Sequence, residues 1–321
     1  MLILVIAITV LFAINMGASG IAPSFATTVG AKILKRKDAI ILFGIWVIVG
    51  AVIAGKSVSL TLGKNLLPQE LISFNVALII LGSAMLSLFL ANLLKIPQST
   101  SQVTVGSIMG AGVYFNRLYL NTLFFKIFPA WIILPLLSYT LTILAYKIIY
   151  PPRHKNLHLY EKLLRNDKKL KSISLVVGCY VAFAIGTNNV ANAVGPLYGA
   201  GFTEIALGLL LVSPLFGLGA LLLGKGTMET AGTEIVPLGL LSGTLVSFVT
   251  ASLLIIASIL GIPQSLVQLN LCSIFAVAGV KNGHRYTLDQ HITRRTLFVW
   301  AITPLLSFVL AYLLLFLFVK R

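Results

Sequence analysis

Charge is scarce in this chain, and negative charge is scarcest. Only eight of its 321 residues are acidic and four are histidine, while charged residues of both signs make up 10% of the whole. A soluble protein of this length needs more than that to keep its surface in water. The few that exist are also confined. Asp38, Glu70, Glu161, Asp167, Glu204, Glu229, Glu234 and Asp289 lie in loops or at the ends of apolar segments, and His154, His158, His284 and His291 lie in loops. This argues against a relay of buried carboxylates, and against an enzyme with its acid, base or metal at depth, since each needs titratable or ligating groups there. Cys179 and Cys272 sit in separate apolar runs, which argues against a disulfide framework and offers no metal-ligand spacing. Long polar stretches are missing too, so no soluble domain and no cofactor are expected.

What the chain has instead is apolar sequence, 58% hydrophobic, in runs long enough to cross about 30 Å of hydrocarbon. These runs fall at about 1–30, 39–55, 71–94, 98–113 and 127–150, then at about 173–200, 205–224, 237–260, 264–280 and 296–319. A net charge of +16 would suggest nucleic acid in a soluble protein. Here the bases gather in a few loops, the pattern that orients a chain in a bilayer, so lipid is the expected partner and nucleic acid is not. Residues 151–172 hold Arg153, Lys155, Lys162, Arg165, Lys168, Lys169 and Lys171 against Glu161 and Asp167, and read as a basic cytoplasmic linker. The first sixteen residues imitate the core of a signal peptide, with small residues near Ala18. Met1 has no basic neighbour, however, and the equivalent segment around 173–187 is internal. A membrane span is therefore expected there.

That equivalence arises because one unit is written twice. WIILPLLS at 131–138 returns as WAITPLLS at 300–307, and GAVIAGK at 50–56 as GALLLGK at 219–225, each shifted by 169 residues. LFAINMGASG near 11 and YVAFAIGTNN near 180 share that shift, and IPQSTSQVTVGSI at 96–108 returns as IPQSLVQLNLCSI at 262–274, shifted by 166. Kept order and spacing point to duplication. The loop at 32–38 carries Lys32, Lys35, Arg36 and Lys37, whereas 201–207 has no base and one acid, Glu204. Conversely, 281–295 carries Lys281, Arg285, Arg294 and Arg295, more than Arg117 and Lys126 in the first copy. The copies are therefore expected to face opposite sides, as an odd number of crossings per copy produces. The fold expected is an all-α polytopic membrane protein, an inverted-topology internal repeat with interrupted helices and about 10–12 transmembrane or half-membrane segments. Residues 1–150 and 173–321 would be the repeats, with the 151–172 linker inside and both termini outside.

Two places in each copy interrupt the apolar runs. NMGASG at 15–20 followed by Pro23, and GTNNVANAVGP at 186–196, should break their helices. KIPQSTSQ at 95–102 and GIPQSLVQ at 261–268 should start new half-helices near Pro97 and Pro263. Such a start directs unpaired N–H groups and the positive end of the helix dipole inward, and Ser99, Thr100 and Ser101 add hydroxyl donors. A single serine in a membrane helix more often bonds the preceding turn, but four helix starts converging from two copies favour an anion site. Neutral donors without a buried acid suit a fully ionised oxyanion. Glu229 follows Lys225 by four residues and reads first as an exposed helical ion pair, with a coupling role as the sharper alternative.

With these residues in view, the chain resembles the inorganic phosphate transporter (PiT) family along its whole length, and within it most closely the sulfate permease branch. The signature GANDVANA is similar to GASGIAPS at 17–24 and to GTNNVANA at 186–193; the motif PxSTTH is similar to PQSTSQ at 97–102 and more weakly to PQSLVQ at 263–268. The resemblance implies a substrate held near the membrane midplane between broken helices. In phosphate members each signature carries an aspartate that takes part in binding cation and phosphate; here those positions are Gly20 and Asn189. Hydrogen phosphate keeps a proton that seeks an acceptor, sulfate at neutral pH has none, and a bare aspartate repels a dianion strongly at low dielectric. The family histidine is Gln102, and Leu266 and Val267 replace two hydroxyl positions in the second copy, so an asymmetric site is expected.

The reading is a sulfate importer of the bacterial plasma membrane working by alternating access. Ser19, Asn188, Asn189, Ser99, Thr100 and Ser101 would donate to the anion, Gly20 is a candidate at the position where an acid is lost, and Asn15, Asn192, Gln102, Gln264, Ser265 and Gln268 are second choices. Importing a dianion against an inside-negative potential costs about 2.3 kcal/mol per charge per 100 mV, so about two coupled cations are required, and the resemblance points to protons. A phosphate or other tetrahedral-oxyanion symporter is the alternative; a passive channel and an intramembrane enzyme rank behind it. A homodimer is open. A cysteine placed at Asn156 should react with a membrane-impermeant maleimide only after the cytoplasmic face is opened; reaction in intact cells would overturn the topology.

Overall fold

The structure, a computed structural model, describes residues 2–93, 98–150, 158, 161, 167–230 and 238–319. All regular structure among these residues is helical. The first half contains α1 (Leu2–Gly30), α2 (Arg36–Ala54), α3 (Lys56–Lys64), α4 (Phe74–Leu93), α5 (Thr100–Tyr114) and α6 (Phe128–Ile149), the last entered through a π turn at Leu123–Ile127. The second contains α7 (Asp167–Asn188), α8 (Ala191–Gly199), α9 (Ile205–Thr230), α10 (Leu240–Ile259), α11 (Leu266–Asn282), the short α12 (His284–Asp289) and α13 (His291–Phe318). Among the described residues, seven helical spans are long and apolar enough to cross a membrane, and Phe74–Leu90 and Leu266–Asn282 are shorter apolar helices. Large apolar side chains face outward, Ile3, Ile53, Phe125 and Leu222 among them, while many serines and threonines are buried. That inversion of the soluble pattern is what a lipid-facing surface requires, and the protein is a polytopic membrane protein.

The apolar runs and the helices agree to within a few residues, with three differences. First, α7 begins at Asp167, inside the linker, where Lys171 and Asp167 pair at 2.5 Å one helical turn apart. Most of the remaining linker, Pro97, Glu234 and the Glu229 side chain lie outside the described residues. Second, α1 does not break at 15–23; it runs from Leu2 through Pro23 to Gly30. Pro23 offers no N–H to the Ser19 carbonyl, yet the helix continues; nearby, Ser24 Oγ donates to the Gly20 carbonyl at 3.1 Å and Ser247 Oγ to the Pro23 carbonyl at 3.3 Å. The matching place in the second copy does break, between Asn188 at the end of α7 and Ala191 at the start of α8. Third, α11 starts at Leu266, three residues beyond Pro263, because Ser265 takes the N-cap and accepts from the Gln268 N–H at 3.1 Å. Ser99 caps α5 in the same way, accepting from Gln102 N–H at 3.1 Å.

Several main helix contacts run between the halves: α1 lies along α9, α2 along α7, α5 along α13 and α6 along α11. Glycine sets the closeness of the first two crossings. A Cβ on Gly17 would sit 2.2 Å from the Phe216 carbonyl oxygen, and one on Gly186 would sit 2.2 Å from that of Val47. A Cβ on Gly219 would meet the Ile14 oxygen at 2.0 Å, and one on Gly50 the Phe183 oxygen at 2.0 Å. Each residue in the first contact of these pairs is 169 positions from its counterpart in the second. Backbone-to-backbone packing of this kind suits a bilayer, where small residues at a crossing replace the hydrophobic drive. The α1 and α8 ends are alike too: Lys32 at φ 55° and Gly201 at φ 72°, again 169 apart, each close the helix in a left-handed cap.

Gly50→Leu should prevent folding or cost more than about 4 kcal/mol, since only backbone stands in the way. Gly30→Ala meets nothing within 4 Å and should leave the thermal midpoint in detergent within about 2 °C of the parent.

Candidate functional site

Three helix starts meet in the interior: those of α5, α8 and α11. The fourth expected start is missing because α1 is continuous. What fixes the three together is Asn188. Its Nδ2 donates to Ser258 Oγ at 2.9 Å and to the Ile262 carbonyl at 3.0 Å, and its Oδ1 accepts the Gln264 backbone N–H at 3.1 Å. A carbonyl on one side and an N–H on the other allow only one orientation of the amide. Thr187 adds a bond to Ser258 Oγ at 2.8 Å. The break after α7 is therefore held against the chain that leads into α11.

The next amides bridge to α5. Asn192 Nδ2 donates to Ser101 Oγ at 3.1 Å and Thr100 Oγ1 at 3.3 Å, and Asn189 Nδ2 approaches Thr100 Oγ1 at 3.5 Å. Ser101 Oγ donates in turn to the Gln264 carbonyl at 3.0 Å. Around this network Gln98, Gln102, Gln264 and Gln268 are at most 5% exposed. Amide oxygens of all four, and of Asn189 and Asn192, have no protein partner, nor do the Nε2 groups of Gln98 and Gln264. Burying that many amide atoms without partners would cost roughly 1–3 kcal/mol each, so this cage of amides has hydrogen-bonding capacity that a polar guest could meet. A terminal amide can present either its oxygen or its NH2 by a half-turn, and the hydroxyls of Ser99, Thr100 and Ser265 can serve either way.

The cage is electrically neutral. No Asp, Glu, Lys, Arg or His is buried among the described residues. Nor do three or more His, Cys, Asp or Glu come together as a metal site among them. The favourable field inside comes from the starts of α5 and α11, whose dipoles and first-turn N–H groups favour an anion; at α8 the N–H groups of Asn192, Ala193 and Val194 are already taken by the carbonyls of Asn189 and Val190.

Of the residues read from sequence, Ser99, Thr100, Ser101, Gln102, Asn188, Asn189, Asn192, Gln264, Ser265 and Gln268 come together here. Ser19 and Gly20 do not join this network. Ser19 Oγ donates to the Met16 carbonyl at 2.9 Å, and a Cβ on Gly20 would face Phe43 and Ile185. Asn15 is half-buried on α1, one turn before them. Sequence reasoning missed Gln98, the counterpart of Gln264 at the 166-residue shift, which the repeat could have supplied. It also missed Ser258, a serine in an apolar helix with no distinguishing pattern.

The model of the "Phosphate transporter family" matches residues 16–165 and 153–311, nearly the whole chain. The chain belongs to this family. It is accordingly a multi-pass membrane transporter and not an enzyme. It is 39% identical over 310 residues to a sulfate permease of Bacillus subtilis, covering 96% of this chain and 86% of that one. Against a putative phosphate permease of Thermococcus kodakarensis the identity is 24% over 383 residues, 93% of each chain. The fold is that of a solved sodium-dependent phosphate transporter, with a TM-score of 0.84 over 98% of both chains at 23% identity.

Asn188→Ala should destabilise the protein by about 3 kcal/mol, since it strands a buried N–H and a buried carbonyl. Asn189→Ala removes one long contact and should cost under about 1 kcal/mol. Thermal unfolding of both variants in detergent checks the split.

Proposed function

We propose that this anion transporter imports sulfate, and that the amide cage is where the anion binds. The observation that carries the reading is the cage's neutrality. Where the resemblance places two aspartates the chain has Gly20 and Asn189, and among the described residues no buried acid compensates. A tetrahedral dianion wants donors from several directions, and rotated amide NH2 groups, hydroxyls and helix starts supply them without adding charge. The identity with the Bacillus subtilis sulfate permease supports the same choice. Thr100, Ser101, Asn189, Asn192 and the four glutamines would touch the anion, while Asn188 would position the α11 lead-in. Ser19 and Gly20 would take part only if α1 shifts toward the cage in another state.

The mechanism follows from the crossings between halves. We take residues 1–150 and 173–321 as inverted repeats that move against one another, opening the cage to either side of the plasma membrane in turn. The glycine contacts, equivalent at a 169-residue shift, support this organisation. Both termini lie outside and the 151–172 linker inside on this reading. Two protons per sulfate would offset the membrane potential, which weighs about 2.3 kcal/mol per charge per 100 mV. With no buried acid or histidine among the described residues, Glu229 is the candidate for carrying a proton, since a fully ionised sulfate would not. Phosphate is the second reading, favoured by the family's description and by the fold of a sodium-dependent phosphate transporter.

In proteoliposomes a proton gradient should drive accumulation of labelled sulfate that excess phosphate does not block. Sodium-driven uptake abolished by phosphate would instead establish the second reading. Asn189→Asp should lower sulfate uptake at least about tenfold by placing a like charge against the dianion, and Thr100→Ala should weaken uptake without loss of folded protein.

A further inference from the structure

Two cavities lie along one edge of the molecule, outside the amide cage. The larger, about 580 Å³, has Pro68, Glu70, Asn116, Arg117 and Tyr119 in its wall. The other, about 310 Å³, is apolar and is formed by Gly106, Met109, Phe128, Trp131, Leu305 and Phe308 with Pro304. Helix α5 and its cap connect them. Gly106, Met109, Val113 and Asn116 recur at helical spacing, so one stripe runs from the apolar cavity to the polar one, and Val113 is 41% exposed along it. Beside the stripe Phe124, Phe128 and Trp131 form a ladder of rings with centroids 5.4 and 5.7 Å apart. Asn116 lies seven residues beyond Met109, roughly 10 Å along the helix axis at 1.5 Å per residue.

The polar cavity has fixed walls. Asn116, at φ 54°, closes α5 with bonds from its own N–H to the Val113 carbonyl at 3.1 Å and from Arg117 N–H to the Gly112 carbonyl at 2.9 Å. Tyr119 N–H donates to the Leu66 carbonyl at 3.0 Å, tying this turn to the loop that carries Glu70. Glu70 and Arg117 line the same cavity, and neither belongs to an ion pair among the described residues. One positive and one negative side chain thus face a headgroup-sized space, with an apolar groove leading down from it along a lipid-facing edge.

We propose that this edge binds a phosphatidylethanolamine molecule, its phosphate on Arg117, its ammonium on Glu70, and one acyl chain along the α5 stripe into the Met109–Trp131 cavity. The charges choose the headgroup. An anionic glycerol headgroup would bring Glu70 only neutral hydroxyls and no cation, and a choline headgroup has no N–H to donate to it. The site also reaches the transport machinery. Trp131, in the floor of the acyl cavity, donates from Nε1 to the Pro263 carbonyl at 2.8 Å, one residue before Gln264. An acyl chain against the indole therefore restrains the lead-in to α11. The assignment of the lipid does not depend on which anion is carried.

The test uses the full chain with Trp131 as its only tryptophan, Trp46 and Trp300 being changed to Phe, in phosphatidylcholine vesicles. Lipids brominated at mid-chain quench tryptophan on contact, and three headgroups are compared. Brominated phosphatidylethanolamine should half-quench Trp131 at about a tenfold lower mole fraction than brominated phosphatidylcholine or phosphatidylglycerol, as a pair of charge-assisted hydrogen bonds would give. In the Arg117→Ala, Glu70→Gln double variant that preference should shrink to about twofold or less. Equal quenching by the three lipids, or a preference that survives the double variant, overturns the proposal. If the single-tryptophan chain does not fold, the same three lipids are added to the parent protein in detergent and its thermal midpoint is followed. A larger rise with phosphatidylethanolamine than with the other two supports the site, and equal rises overturn it.

Discussion

A backbone amide in hydrocarbon has no water to turn to, and the interior of this protein is arranged around that constraint. Wherever the chain stops being helical at depth, another part of the protein must supply partners. Asn188 meets the requirement at the central break, since one amide side chain answers a carbonyl, an N–H and a hydroxyl on the opposing segment. The cage exists because those bonds keep α7 and α8 apart in register with α5 and α11. The residues left over, the four glutamines with Asn189 and Asn192, are then free to face inward with hydrogen-bonding capacity in reserve.

The same constraint explains why the cage carries no charge. A carboxylate there would need a permanent cation, and the chain has few of either sign to give. Amides and hydroxyls are a different kind of wall. They can pair with one another or turn toward an anion. Packing around the cage is correspondingly tight. Glycines at the α1–α9 and α2–α7 crossings bring backbone against backbone.

Much of this was legible in the sequence. Apolar length gave the helices, because in a membrane hydrophobicity and span are nearly the same quantity. The repeated GAVIAGK and GALLLGK segments mark two helices whose glycines make equivalent contacts, and the PQSTSQ and PQSLVQ motifs mark the two serine caps. What was not legible depended on tertiary partners. GASGIAPS and GTNNVANA invite the same prediction, a broken helix, yet only the second breaks, since Ser19 is too short to reach across as Asn188 does. Gln98 stands in a motif dominated by hydroxyl residues, and Ser258 in an ordinary apolar helix. The pairing of Trp131 with Pro263 joins elements far apart in sequence and leaves no local trace at all.

The unequal breaks bear on mechanics. In equivalent places the protein has one uninterrupted rod, α1, and one jointed strut, α7 with α8. Two copies of a unit that bend differently cannot trade places and give mirror-image end states. On the alternating-access reading proposed above, the forward and return strokes would meet different stiffness, and the resting position would be skewed toward one face of the membrane even with nothing bound.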